Sequence, residues 1–86
     1  DLQISELTPE LQSKFGLSFS SKGLIVLDPG RIASRLSLRK GDLLRAINRK
    51  PVDTIEDAVS AISSIKSSGS ITIIRSGRRV SLRFRL

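Results

Sequence analysis

The sequence predicts a small α+β domain in which about five short strands form a partly open antiparallel barrel or sandwich, capped by one long helix and one or two short ones. Three observations predict it. The chain has 86 residues, enough for a single domain spanning residues 1–86 and too few for two separate cores. Its apolar residues come in short runs or alternate, and Gly, Pro, Asn and Ser punctuate them, which is the pattern of strands and turns. One segment, Thr54 to Ile65, instead places Ile55, Ala58, Val59, Ile62 and Ile65 at spacings of three and four, which is the pattern of a helix.

Leu2 and Ile4 begin an alternation that predicts a short strand over residues 2–5. Thr8 then offers a helix cap and Pro9 a first helical residue, whose missing N–H has no intrahelical partner to lose. Gly16 stops that helix by accepting a left-handed conformation. Residues 18–21 read as a polar loop, and Gly23 to Leu27 as a strand covered on both faces. Asp28-Pro29-Gly30 is a turn, with Pro presetting φ and Gly tolerating a positive one. Arg31 to Leu36 can make one or two helical turns with Ile32, Ala33 and Leu36 on one side.

Arg39 to Asp42 reads as a basic turn, Leu43 to Ile47 as a strand, and Asn48 to Pro51 as another turn. The long helix starts with a capping box, built either from Asp53 and Glu56 or from Thr54 and Asp57. Acids in its first turn and Lys66 near its end both suit the helix dipole, and Ser67-Ser68-Gly69 ends it. Ile71 to Arg75 and Val80 to Leu86 form a hairpin around Ser76-Gly77-Arg78. In the last strand Val80, Leu82, Phe84 and Leu86 face one way and Ser81, Arg83 and Arg85 the other, giving one covered side and one wet side. Both ends of the chain read as strands cut from something longer.

Composition narrows the function. Cysteine and histidine are both absent, which removes a thiolate nucleophile, sulfur-ligated zinc, the usual general base and any Ser-His-Asp triad within these residues. The chain is therefore expected to be a binder rather than an enzyme, with no metal and no cofactor. The longest apolar run falls far short of the roughly 20 residues that cross a bilayer, so no membrane span is expected. Gly41-Asp42 reads as a structural turn, and the Ser-rich stretches at 63–64 and 67–68 as solvated surface.

The order of several short motifs then becomes recognisable. Leu7-Thr8-Pro9-Glu10-Leu11 with Phe15-Gly16-Leu17, the strand Lys22-Gly23-Leu24-Ile25-Val26, and Pro29-Gly30, Ala33, Leu38 and Gly41-Asp42-Leu43-Leu44 follow one another, and Ile47-Asn48 with Lys50-Pro51-Val52 comes next. Over nearly its whole length the chain resembles a PDZ domain of the kind carried by bacterial Do/Deg-type (high-temperature-requirement) serine proteases. It departs from that pattern at four places. Leu36-Ser37 replaces an Ala-Gly pair, Arg49 follows Asn48 where the family has Gly, and the chain is about two residues shorter before Asp28. Aligned back from Leu7, Asp1 sits at the Gly of the family's carboxylate-binding tripeptide and Leu2 at the apolar residue after it, so that loop is altered or incomplete.

The resemblance implies a PDZ-like fold and a peptide groove between the first strand and the long helix. An extended peptide, with or without a free C-terminus, would add to the strand edge Leu2-Gln3-Ile4-Ser5. Ile55, Ala58, Ala61, Ile62 and Ile65 would supply the helix wall, and backbone N–H groups around Asp1 and Leu2 would catch a carboxylate. The size of Ala58 and Ala61 suggests room for bulky apolar ligand side chains; read without the resemblance, the stripe Ile55, Val59, Ile62 is core. The partners implied are a substrate or partner segment and a linked protease domain, in a bacterial periplasm or cell envelope. Related PDZ domains occur in intramembrane metalloproteases and secretion-system components; the segment Leu7 to Leu11 favours the Do/Deg type.

Lys plus Arg number 15 against 8 acids, a net charge of +7. Arg75, Arg78, Arg79, Arg83 and Arg85 cluster on the closing hairpin, and Arg31, Arg35, Arg39, Lys40, Arg45, Arg49 and Lys50 lie mostly in turns and exposed helix. One reading is a solvated surface that keeps the module soluble. The alternative is electrostatic docking on anionic lipid or nucleic acid. Nucleic acid is the weaker of these, because the chain has no Tyr or Trp on which bases could stack.

Overall fold

In a computed structural model that describes residues 2–18 and 20–85, the chain folds in the order β1 (Gln3–Glu6), α1 (Pro9–Lys14), β2 (Leu24–Asp28), α2 (Gly30–Arg35), β3 (Leu43–Ile47), β4 (Lys50–Pro51), α3 (Ile55–Ser63), β5 (Ser68–Arg75) and β6 (Arg78–Arg85). Six strands, against about five expected, make one antiparallel sheet in the order β1-β2-β3-β5-β6, with β4 paired to β3 off this path. The extra strand is the two-residue β4. The α+β class stands. β1 and β6 are the two margins of the sheet, each paired on one side only among the described residues.

The helix ends follow their local chemistry. Thr8 Oγ1 accepts the Leu11 N–H, and Pro9 opens α1. At its far end Gly16 has φ +67°, the Gly16 N–H donates to Ser13 and the Leu17 N–H donates to Gln12, a Schellman motif. The same motif closes α2, where Ser37 takes the left-handed position at φ +73° and the Leu38 N–H reaches Ala33. Of the two capping boxes the sequence allows, Thr54 and Asp57 form the one observed. The α3 helix ends at Ser63, earlier than expected, where the Ser63 and Ser64 hydroxyls turn back to the Val59 and Ala61 carbonyls. Lys66 therefore lies beyond the helix.

Ser68-Gly69 does not form a helix-ending loop; it starts β5. Asn48 accounts for this. Its backbone N–H donates to the Ser70 carbonyl at 2.8 Å and its side-chain Oδ1 accepts the Ser70 N–H at 2.9 Å. Asn48 acts as one more rung of β3 and draws the Ser-rich segment into the sheet. The hairpin between β3 and β4 has both central residues at positive φ, Asn48 at +51° and Arg49 at +68°, so Arg49 takes up the left-handed role without glycine.

The core lies between the sheet and the helices. Leu24, Ile25, Val26, Leu44 and Ile73 are wholly or almost wholly buried, and burying each such side chain contributes roughly 1.5–3 kcal/mol. The α3 helix lies against β1 and β3, meeting the sheet through Ala58 and Ala61, whose small side chains allow a close approach. Gly23 is required by a second close approach. It has φ +115°, and a Cβ there would sit 2.6 Å from the Leu44 carbonyl oxygen.

Beneath the sheet's far end, Arg75 is not part of the free basic surface. Its guanidinium donates to the Asp42 carboxylate at 2.9 and 2.6 Å and to the Ser37 carbonyl at 2.8 Å. Asp42, almost fully buried, also accepts the Arg39 N–H at 2.9 Å. The Asp42 hydrogen bonds raise the Arg75 pKa above its ordinary value. The turn at Gly41-Asp42 is structural, as its sequence suggests.

Candidate functional site: an open strand beside the principal helix

The β1 strand pairs with β2 alone, with Ile4 opposite Val26, Ser5 opposite Ile25 and Glu6 opposite Leu24. A bulge between Gln3 and Ile4 shifts the register, leaving Gln3 opposite Asp28. Alternation gives β1 two faces. Leu2 and Ile4 pack on the core; Gln3 is exposed, and Ser5 is half-buried with its hydroxyl donating to the Glu6 carbonyl. The margin of β1 away from β2 carries no paired strand among the described residues, and α3 packs beside β1.

The apolar side of α3 divides into two neighbouring stripes. Ala58 and Ala61 are 0% and 4% exposed and belong to the core, and Ile65 packs against it. Ile55, Val59 and Ile62 form the adjacent stripe, in which Val59 is 58% and Ile62 43% exposed. This corrects two expectations. Ala58 and Ala61 lie under the helix rather than along its open wall, and Val59 and Ile62 are not core. The reason is size: the helix seats on its small residues, which brings its axis close to the sheet and pushes the larger side chains at its flank outward.

Where the start of β1 meets the end of α3, a cavity of about 440 Å³ opens. Leu2, Ile62 and Ile65 line it, whereas Ile55, at the start of α3, packs on the core and does not. The cavity's other side comes from α2 and its flanks, through Pro29, Ile32, Leu36 and Leu38, and its floor from Ile71 and Phe84. Every described lining residue is apolar, so the cavity can hold an aliphatic or aromatic group. The α2 contribution was missed in the sequence, where Ile32, Ala33 and Leu36 appear only as one side of a short helix. Ile32 is 69% exposed, and an isoleucine in excess of what a six-residue helix needs for its own packing was the available signal. The carboxylate-catching role given to Asp1 lies outside the described residues. Among the described residues no three acidic side chains gather in a way that could hold a metal ion, and no helix is long and apolar enough to cross a membrane.

Comparison with known proteins agrees with this fold. No protein-family model matches the chain. A curated relative, a probable periplasmic serine endoprotease DegP-like from Chlamydia pneumoniae, is 27% identical over 78 residues, covering 88% of this chain and 16% of its own length. Among solved structures, the HtrA-type protease AlgW with a decapeptide superposes with a TM-score of 0.87 at 25% identity, covering 98% of this chain and 27% of that one. The HtrA3 PDZ domain bound to a phage-derived ligand, FGRWV, superposes with a TM-score of 0.76 at 17% identity, covering 98% of this chain and 79% of that one. The chain thus spans about a sixth of the length of the curated relatives it matches.

Proposed function

We propose that this chain is a PDZ domain of the HtrA/Deg serine-protease type, and that it binds extended peptide segments or chain ends by adding them to β1 and so feeds or regulates a linked serine protease domain. The observation that carries the reading is the unpaired margin of β1 beside α3, with the apolar cavity at the end where a peptide running antiparallel to β1 finishes. Main-chain hydrogen bonds to β1 supply affinity, and the cavity takes the terminal apolar side chain. The AlgW structure was solved with a decapeptide, and this chain superposes on it over nearly its whole length. The domain holds no catalytic residues of its own; cleavage belongs to the protease domain. The names of the curated relatives support a periplasmic setting.

The test is a titration of isotope-labelled chain with apolar-ended decapeptides, each prepared as free acid and as amide. Amide shifts are expected at residues 2–5 and 55–65 and around the cavity residues Ile32, Leu36, Ile71 and Phe84, with affinity falling about tenfold on amidation where the carboxylate is caught. Shifts of the same size with either end indicate recognition of internal segments. No shift in these residues at millimolar peptide would overturn the proposal.

A further inference from the structure

From Ala58 to the last residue the chain carries six Lys or Arg and no Asp or Glu, so its final third holds nearly all of the net charge of +7. Arg75 is taken up by Asp42, and among the described residues no other cation of this segment is in an ion pair. On β6 the side chains of Val80, Leu82 and Phe84 pack against the core, and those of Arg79, Arg83 and Arg85 are exposed on the opposite face. The residues paired with these three arginines are Ile74, Ser70 and Ser68, none of them acidic.

Two open depressions mark this outer face. One is bordered by Arg49, Arg83 and Arg85, the other by Lys22, Arg45 and Arg79. Serine hydroxyls fill out both, and among the described residues no carboxylate side chain lines either. Six cations from four different segments thus border these two depressions, and none of them lines the apolar cavity.

We propose that this outer face of β5 and β6 docks the domain on an anionic phospholipid surface. The face is open rather than cleft-like, and Arg79 and Arg85 stand about 20 Å apart along the strand, so it fits a broad array of phosphates better than one buried anion. Nucleic acid fits less well. There is no Tyr or Trp for base stacking, and α3, the longest helix, opens on Glu56 and Asp57 and carries no cation to lay in a groove. Phe84 borders both the first depression and the apolar cavity, so the two sites adjoin at that end of β6, while Arg79, Arg83 and Arg85 themselves lie on the face away from the core.

The test is co-sedimentation of the 86-residue chain with phosphatidylcholine vesicles, with and without phosphatidylglycerol, at about 0.05 M and about 0.5 M salt. Binding is expected only with phosphatidylglycerol and only at low salt. The triple variant Arg79→Gln, Arg83→Gln, Arg85→Gln is expected to lose roughly fivefold per charge, on the order of a hundredfold in all. The double variant Arg31→Gln, Arg35→Gln on α2 should stay within about twofold of the parent, because its charges lie on a different element. An unchanged amide spectrum at residues 2–5 and 55–65 confirms that the triple variant is folded. The proposal is overturned if vesicles are not bound, if the triple variant binds them as well as the parent, or if millimolar glycerol phosphate displaces them, which would mean a discrete phosphate site. Tighter binding to DNA or polyglutamate than to vesicles at matched charge would likewise overturn it.

Discussion

Arg75 and Asp42, 33 residues apart in sequence, meet through two hydrogen bonds of 2.9 and 2.6 Å, and the same guanidinium reaches the Ser37 carbonyl at the end of α2. One side chain therefore joins β5, the turn before β3 and the helix that forms one side of the apolar cavity.

Removing either partner leaves the other short of its hydrogen bonds, and Asp42 has almost no access to water. Asp42→Ala and Arg75→Ala are each expected to cost about 2–4 kcal/mol in urea unfolding, less than a fully buried pair because the Arg75 side chain is a quarter exposed. Arg75→Lys should recover little, since an ammonium group lacks the planar fork that serves Asp42 and Ser37 together. A loss below about 0.5 kcal/mol in Asp42→Ala would show that the clasp adds nothing to stability.

Ser37 holds φ +73° at the position that closes α2, where glycine has no steric penalty. Ser37→Gly is expected to stabilise the fold by about 0.5–1 kcal/mol, the strain relieved exceeding the added freedom of the unfolded chain. The Arg75 hydrogen bond goes to the Ser37 backbone and survives the change. A fall in the thermal midpoint would mean that the serine side chain matters in some other way.

The Asp57 carboxylate accepts the N–H groups of Asp53 and Thr54, and these bonds hold its pKa below the ordinary value of 3.8. Because the folded pKa is the lower one, the stabilisation is complete above about pH 5 and is lost as pH falls through 3.8 towards the folded value. Acid unfolding of Asp57→Asn should be flatter than that of the parent in that window. Thr54→Ala removes the other half of the box and should cost about 1 kcal/mol at neutral pH. Identical acid profiles for parent and Asp57→Asn would rule out this linkage.

The two stripes of α3 should respond differently to mutation. Ile62→Ser is expected to weaken binding of an apolar-ended peptide about tenfold and to change stability by less than about 1 kcal/mol, because the side chain is nearly half exposed. Ala58→Leu is expected to destabilise by about 1–3 kcal/mol through overpacking against the sheet. If Ala58→Leu folds normally and blocks the peptide, the assignment of the two stripes is reversed.

Much of this was legible in the sequence because the signals were local. The Thr8 and Thr54 caps, the left-handed stop at Gly16 and the alternation of Val80, Leu82 and Phe84 each depend on a few neighbouring residues. Periodicity alone could not show which part of a wide apolar arc seats on the sheet. Ala58 and Val59 look equally inward on a helical pattern, and only the sheet beneath decides between them. The start of β5 was hidden for a similar reason: Ser68 and Gly69 have poor strand propensity, and Asn48 draws them into the sheet from 20 residues away. Arg75 read as surface charge because its partner lies at the other end of the topology.

The sheet described above has two unfinished margins, and the chain treats them unlike each other. At β1, α3 stands alongside and restricts entry to a slender visitor of the right taper. At β6 the alternating arginines make the strand a poor match for a second copy of itself, since two such strands would bring like charges face to face. The molecule can thus keep one hungry edge on offer without sticking to its own kind.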